Sequence, residues 1–176
     1  MNGEMTMENK IKIYEQGLEK YSKSWIVGQN LFMVIYFAIG AFGMYSLQFS
    51  GIPILSIAYI IFLITMLVFV LRKHVCTFCY YYDKWCNTGW GKLSSCLFKN
   101  DSGNPELGGK LAGVTWMPAT IIPILAMIVS LILNFSTTGL GILIIFIILS
   151  GMHFMIHKKS CEKCKMRFIC SGSTAK

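Results

Sequence analysis

IPILSIAYIIFLITMLVFVL, residues 52–71, carries no charged side chain, and Pro53, Ser56, Tyr59 and Thr65 are its main interruptions in an aliphatic run. Its length matches the ~20 apolar residues that one helix needs to cross a bilayer. Hydrocarbon offers no partner to a bare peptide group, so a segment of this kind satisfies its backbone internally, as a helix. Before it stands a break, Gln48-Phe49-Ser50-Gly51, and before that Trp25 to Leu47, apolar apart chiefly from Gln29 and Asn30. From Lys23 to Arg72 no charged residue intervenes, and the interval from Lys110 to Lys158 is equally free of charge. In the second interval Ala112 to Asn134, interrupted by Pro118 and Pro123, is followed by a short polar connection, Phe135 to Thr138, and by Gly139 to His157. Connections this short make neighbouring helices antiparallel.

The sequence therefore predicts an all-α membrane protein with four transmembrane helices arranged as two hairpins, 25–71 and 112–157. An N-terminal segment (1–24), a Cys-rich loop (72–111) and a Cys-rich tail (158–176) flank them. Composition agrees. Of 176 residues, 55% are hydrophobic and 14% charged, with a mean hydropathy of +0.58, whereas soluble domains carry about 25% charged residues. Disorder, a secreted disulfide scaffold and a nucleic-acid-binding domain are excluded on that ground.

All 16 Lys and Arg residues fall in the N-terminal segment, the central loop and the tail, and none in the two hairpin tips. The positive-inside bias places both termini and the central loop in the cytoplasm, in a multi-pass protein of the inner (cytoplasmic) membrane. The N-terminus does not read as a cleavable signal peptide, because Glu4, Glu8, Glu15 and Glu19 precede an apolar run too long for a signal core. Ile11, Tyr14, Leu18 and Tyr21 recur at helical spacing, with Glu8/Lys12 and Glu19/Lys23 four apart, which predicts an amphipathic helix on the inner membrane face.

No Asp, Glu, Lys or Arg lies within a predicted span, where such residues usually mark ion paths and proton relays, and this weighs against a pump or proton-coupled transporter. Ala38, Gly40, Ala41 and Gly43 suit close helix packing, and Pro118 and Pro123 suit a kink.

The seven cysteines lie outside the spans: Cys76, Cys79, Cys86 and Cys96 in the loop, and Cys161, Cys164 and Cys170 in the tail. Cytoplasmic thiols are kept reduced, so their clustering points to metal binding or redox chemistry rather than structural disulfides. A C-x2-C pair lets two thiolates converge on one centre, and here the pair occurs twice. The tail reads Cys161-Glu-Lys-Cys164-Lys-Met-Arg-Phe-Ile-Cys170-Ser-Gly, that is, C-x2-C-x5-C. This run resembles the cysteine run of the SPASM-type auxiliary-cluster domains of radical SAM enzymes. It is also similar to the C-terminal cysteines of iron–sulfur nucleases of the RecB family. In both, those cysteines ligate a [4Fe–4S] cluster, which implies a ligand role for Cys161, Cys164 and Cys170 and no catalytic activity. The likeness covers about a dozen residues, and Thr174 stands where the SPASM pattern has a further Cys.

Fe–S clusters generally take four Cys thiolates, and structural zinc takes four Cys or His ligands. Seven Cys and one His supply two four-ligand centres. His74, two residues before Cys76, is one candidate, and His157, four residues before Cys161 on the same helix face, is the other. One four-Cys centre with a second, open centre is the alternative. Lys158, Lys159, Lys163, Lys165 and Arg167 flank the tail cysteines; they either favour the thiolate form or anchor the fourth helix to anionic lipid. Phe78, Tyr80, Tyr81, Tyr82, Trp85 and Trp90 make the loop aromatic, as an interfacial belt or as a shield around a cluster. Asn87 to Lys92 lacks the spacing of a phosphate loop and reads as a turn, and Asp101 to Gly109 reads as a polar linker.

The leading expectation is a membrane metal-binding protein with one or two cytoplasmic [4Fe–4S] clusters, an oxidoreductase or electron-transfer component of a membrane redox complex. A structural Zn site that docks a protein partner is the alternative. A membrane thiol–disulfide oxidoreductase, by analogy of outline with the vitamin K epoxide reductase type, is a third.

Overall fold

The computed structural model describes residues 13–170 and 172–175. Among them the fold is all-helical, with no strand beyond two isolated bridges. Helix α1 (Lys23–Gly43) is followed by α2 (Ile54–Ile64), which passes through a π-helical run (Thr65–Val70) into a short α3 (Leu71–His74) and a 3-10 turn (Cys76–Phe78). A short α4 (Trp90–Leu97) lies in the central loop, and α5 (Pro105–Leu133) and α6 (Thr137–Glu162) form the second hairpin. Four segments are long and apolar enough to cross a membrane: Lys23–Gly43, Ile54–Phe78, Pro105–Leu133 and Thr137–Glu162.

The hairpin tips follow from local chemistry. Ser50 and Gly51 both adopt positive φ (53° and 80°), closing a tight turn in which Phe49 and Ile52 exchange backbone hydrogen bonds of 2.9 and 3.0 Å. Ser136 caps α6 by accepting from the Gly139 amide.

α1 packs against both α5 and α6, and α2 lies against α1 and α5. The small residues of α1 permit this. A Cβ on Gly40 would stand 3.0 Å from the Phe146 ring, and one on Gly43 would meet Met127 Sδ at 2.4 Å. Tyr36, Met127, Leu143 and Phe146 fill one core cluster, and Tyr59, Leu63, Leu67, Leu71, Ala119 and Ala126 belong to a second. The outer faces are covered with large apolar side chains, including Val27, Phe42 and Ile132. An apolar exterior on this scale is what lipid contact, not water, accommodates.

Several boundaries differ from the sequence expectation. α5 begins at Pro105 rather than near Ala112: Asn104 accepts from the Leu107 amide and Pro105 opens the helix, so the latter part of Asp101–Gly109 is helical, not linker. Pro118 and Pro123 lie inside an α5 assigned as helix throughout. The expected N-terminal amphipathic helix does not form at residues 13–22, which make turns and a bridge between Leu18 and Cys164. Glu19 pairs with Lys165 at 2.5 Å, not with Lys23. Ile11 and the Glu8/Lys12 pair lie outside the described residues.

Candidate metal centre

The C-terminal ends of α3 and α6 and the N-terminal ends of α1 and α5 meet at one end of the bundle, and the central loop and the tail fold together there. The N-terminal segment is the clasp between them. Tyr14 and Leu18 donate backbone hydrogen bonds to the Lys165 and Lys163 carbonyls of the tail (3.0 and 2.9 Å). Tyr21 donates its amide to the Trp85 carbonyl of the loop (3.0 Å) and its hydroxyl to the Ser160 carbonyl of α6 (2.9 Å). Its ring lies edge-on to Tyr81, 5.9 Å between centroids. Tyr81 is 1% exposed, donates to the Leu18 carbonyl at 2.5 Å and accepts from the Lys165 amide at 3.2 Å. Tyr21, Ile26 and Tyr81 form a small core, and Cys79 and Cys86 of the loop and Cys164 of the tail pack on it. Tyr81 is thus a core residue of this knob rather than part of an interfacial belt, whereas Trp85, 42% exposed, remains available to an interface.

Six of the seven cysteines gather here. Cys79 has Cys76, Cys86 and Cys164 as electrostatic neighbours, Cys76 has Cys86 and Cys170, and Cys164 has Cys161 and Cys170. Loop and tail thiols therefore share one end of the bundle. Cys76 opens the 3-10 turn and Cys79 closes it, its amide bonded to the Cys76 carbonyl (3.3 Å). Cys161 stands on the last turn of α6, and Cys164 follows through a turn in which its amide donates to the Cys161 carbonyl (3.1 Å). The Cys86 sulfur accepts the Gly91 amide at 3.4 Å, from the first turn of α4, and lies 3.5 Å from the Thr88 hydroxyl. Cys96 stands apart: it is exposed and its thiol donates to the Lys92 carbonyl within α4.

The two histidines part company. His157 Nε2 lies 3.8 Å from the Cys161 sulfur and its Nδ1 lies 3.4 Å from the Thr174 hydroxyl. Thr174, where the SPASM pattern has a further Cys, thus lies beside the His157–Cys161 pair. His74 instead accepts the Asn104 amide through Nδ1 at 3.1 Å, fastening the start of α5. His153, in the expected i, i+4 series, stacks on Tyr36 (5.4 Å) and packs against Trp116 (5.1 Å) among the helices.

Two of the flanking cations are engaged away from the sulfurs. Lys165 turns to Glu19, and Arg167 donates to the Ala175 carbonyl with its guanidinium over the Tyr14 and Phe168 rings. Burial pushes the Cys164 thiol up to about 11 and holds the Cys79 thiol well above its ordinary value, whereas the hydrogen bond and charge of His157 lower the Cys161 thiol against its own burial. Burial, with the thiols of Cys164, Cys161 and Cys86 nearby, likewise pushes the Tyr21 phenol up.

Among the described residues no three His, Cys, Asp or Glu side chains are drawn about a common point as a single bound ion draws its ligands. In donor chemistry the site nevertheless fits a thiolate-bound metal group. It offers six thiols and an imidazole, an amide N–H already directed at the Cys86 sulfur, and a nearby buried guanidinium, that of Arg72. Sequence reasoning missed Arg72, Tyr21 and Gly91. Arg72 is the one whose position signals a role, being the first charged residue after an apolar span and four residues before Cys76.

Comparison with known proteins gives no match: no family model fits the chain, and no curated protein or solved structure matches it.

Proposed function

We propose that this is a multi-pass protein of the cytoplasmic membrane whose loop and tail cysteines together hold an iron–sulfur cluster at the inner face, for electron transfer within a larger membrane redox complex. The observation that carries the reading is that Cys79 and Cys86 of the loop and Cys164 of the tail pack on one small core, Tyr21, Ile26 and Tyr81, at one end of the bundle. Among the described residues the Lys and Arg side chains sit in the segments that build this end, and the positive-inside bias favours the cytoplasm for it, where thiols stay reduced. Four of the six gathered thiolates suffice for one cluster, and with Cys96 and His74 engaged elsewhere the site supports one centre better than two. A bound cluster supplies one-electron storage. The chain's own contribution is the thiolates, the Gly91 amide on the Cys86 sulfur, and the Tyr21–Tyr81 core that limits solvent access.

One observation favours a second reading. His157 beside Cys161 is a Cys/His pair of the kind structural zinc uses, and a zinc knob would serve to dock a protein partner. A thiol–disulfide oxidoreductase stays the third reading: burial raises the Cys79 and Cys164 thiols, while His157 lowers the Cys161 thiol against its own burial.

Anaerobic purification in detergent, followed by a visible spectrum and iron, acid-labile sulfide and zinc analysis, decides among these. Brown protein with matched iron and sulfide, bleached by dithionite, is the expected result. Colourless protein with stoichiometric zinc would replace the cluster reading with the zinc one, and protein holding neither metal would remove both.

A further inference from the structure

Arg72 is a buried cation at the end of a span, 6% exposed, and its position is fixed from several sides. Its Nε donates to the Leu67 carbonyl at 3.1 Å, in the π-helical run just before it. Its guanidinium lies over the Trp90 ring, 4.9 Å from the centroid, and its own carbonyl accepts the Ser94 hydroxyl at 2.9 Å. Yet Nη1 is buried without a hydrogen-bond partner. A buried charged donor left unmade carries the full desolvation penalty, so a structure that orders one this firmly has a use for it. Trp90, under the guanidinium, adjoins Gly91, whose amide donates to the Cys86 sulfur at 3.4 Å, and Cys76 and Cys86 are the thiols beside the guanidinium. Cys76 lies four residues after Arg72, past the end of α3 and at the start of the 3-10 turn. π-helical turns are rare and frequently mark functional sites, and this one widens the helix immediately before Arg72, changing the face on which the residues after it emerge.

We propose that Arg72 is the cationic donor for the metal–thiolate centre, its Nη1 hydrogen-bonding a ligating sulfur of Cys76 or Cys86. This inference rests on the metal-binding reading above and adds to it the residue that balances the centre's charge and tunes its potential. Metal centres ligated by several thiolates carry net negative charge, and hydrogen bonds and positive charge beside the sulfurs favour the reduced, more negative form. Arg72 is a positioning and tuning residue, with no role in electron exchange itself. Trp90 matters through it, as the flat face that keeps the guanidinium in place.

The test uses full-length protein purified anaerobically as wild type, Arg72→Gln, Arg72→Lys and Trp90→Leu, with metal content and a redox titration on each. The expected result is that Arg72→Gln retains metal but lowers the equilibrium constant for reduction about tenfold, equivalent to about 59 mV for a one-electron couple. Arg72→Lys, which keeps the charge and loses the fork, falls between the two. If Arg72→Gln does not accumulate, Trp90→Leu, which removes no donor, shows a smaller shift in the same direction. If the bound metal is zinc, the readout is its release to a chelator, about tenfold faster in Arg72→Gln, a factor that corresponds to about 1.4 kcal/mol. Metal-loaded wild type and Arg72→Gln with the same midpoint, or the same release rate, would overturn the assignment of Arg72 and leave the centre standing. A wild-type chain that binds no metal would overturn the centre and this inference with it.

Discussion

The Tyr59 hydroxyl donates to the Ala119 carbonyl at 2.7 Å, across the interface between α2 and α5. Ala119 is four residues before Pro123, and Pro123 has no amide hydrogen to offer that carbonyl. In lipid an unmet carbonyl has no water to turn to. Tyr59, 3% exposed, therefore supplies from a neighbouring helix what the proline withholds from its own.

Tyr59→Phe is expected to destabilise the bundle by about 1 kcal/mol, the scale of interhelical hydrogen bonds in bilayers. In a Pro123→Ala background the restored amide takes the Ala119 carbonyl, and the same change at Tyr59 costs less. A double-mutant cycle by reversible unfolding in mixed micelles measures the difference. Equal costs in the two backgrounds would show that the hydroxyl does not compensate for the proline.

Gly91→Ala is expected to loosen the knob without disturbing the membrane helices. A Cβ at this position would stand 1.9 Å from the Tyr81 carbonyl oxygen, backbone that cannot yield cheaply, and would displace the amide directed at the Cys86 sulfur. Alkylation of Cys79 and Cys86 in detergent, read by mass spectrometry, should quicken severalfold while helix content stays constant. Unchanged alkylation would mean that the loop does not pack closely on α4.

Asp83 links the loop to α4, accepting from the Lys92 ammonium at 2.8 Å and the Ser95 hydroxyl at 2.7 Å, and these partners hold its carboxyl below the ordinary carboxylate range. With the folded value depressed, the stabilisation is complete above the unfolded value near ~4 and is lost as pH falls through the folded one. Both partners are exposed, so the effect is small and weakens with salt. Hydrogen exchange of the α4 amides should accelerate in wild type between about pH 5 and about pH 2, beyond the intrinsic trend. Asp83→Asn should lack that extra acceleration, and identical profiles would exclude the pair as its source.

The four spans were legible because their signal is composition over long windows, which no tertiary contact reverses. What the sequence hid depends on contacts between distant segments. The helical spacing of Tyr14, Leu18 and Tyr21 is real, but tail carbonyls at Lys163 and Lys165 compete for that backbone and hold it in turns and a bridge. Asn104-Pro105-Glu106 is a helix start, overlooked because the surrounding Gly and Asp residues read as linker. The cysteine motifs do not show that Cys96 stands apart from the other thiols or that His74 serves the start of α5. Arg72 read only as a topogenic charge at a span end, since nothing in its neighbours shows the π-helical run that precedes it.

The central claim is that loop and tail thiols serve one centre. It is tested most directly by metal stoichiometry in two variants, one with Cys76, Cys79 and Cys86 changed to Ser, the other with Cys161, Cys164 and Cys170 changed to Ser, beside a Cys96→Ser control. A shared centre predicts that either triple variant loses essentially all bound metal while the control keeps its full complement. Retention of about half the metal in each triple variant, or no loss in either, would contradict it.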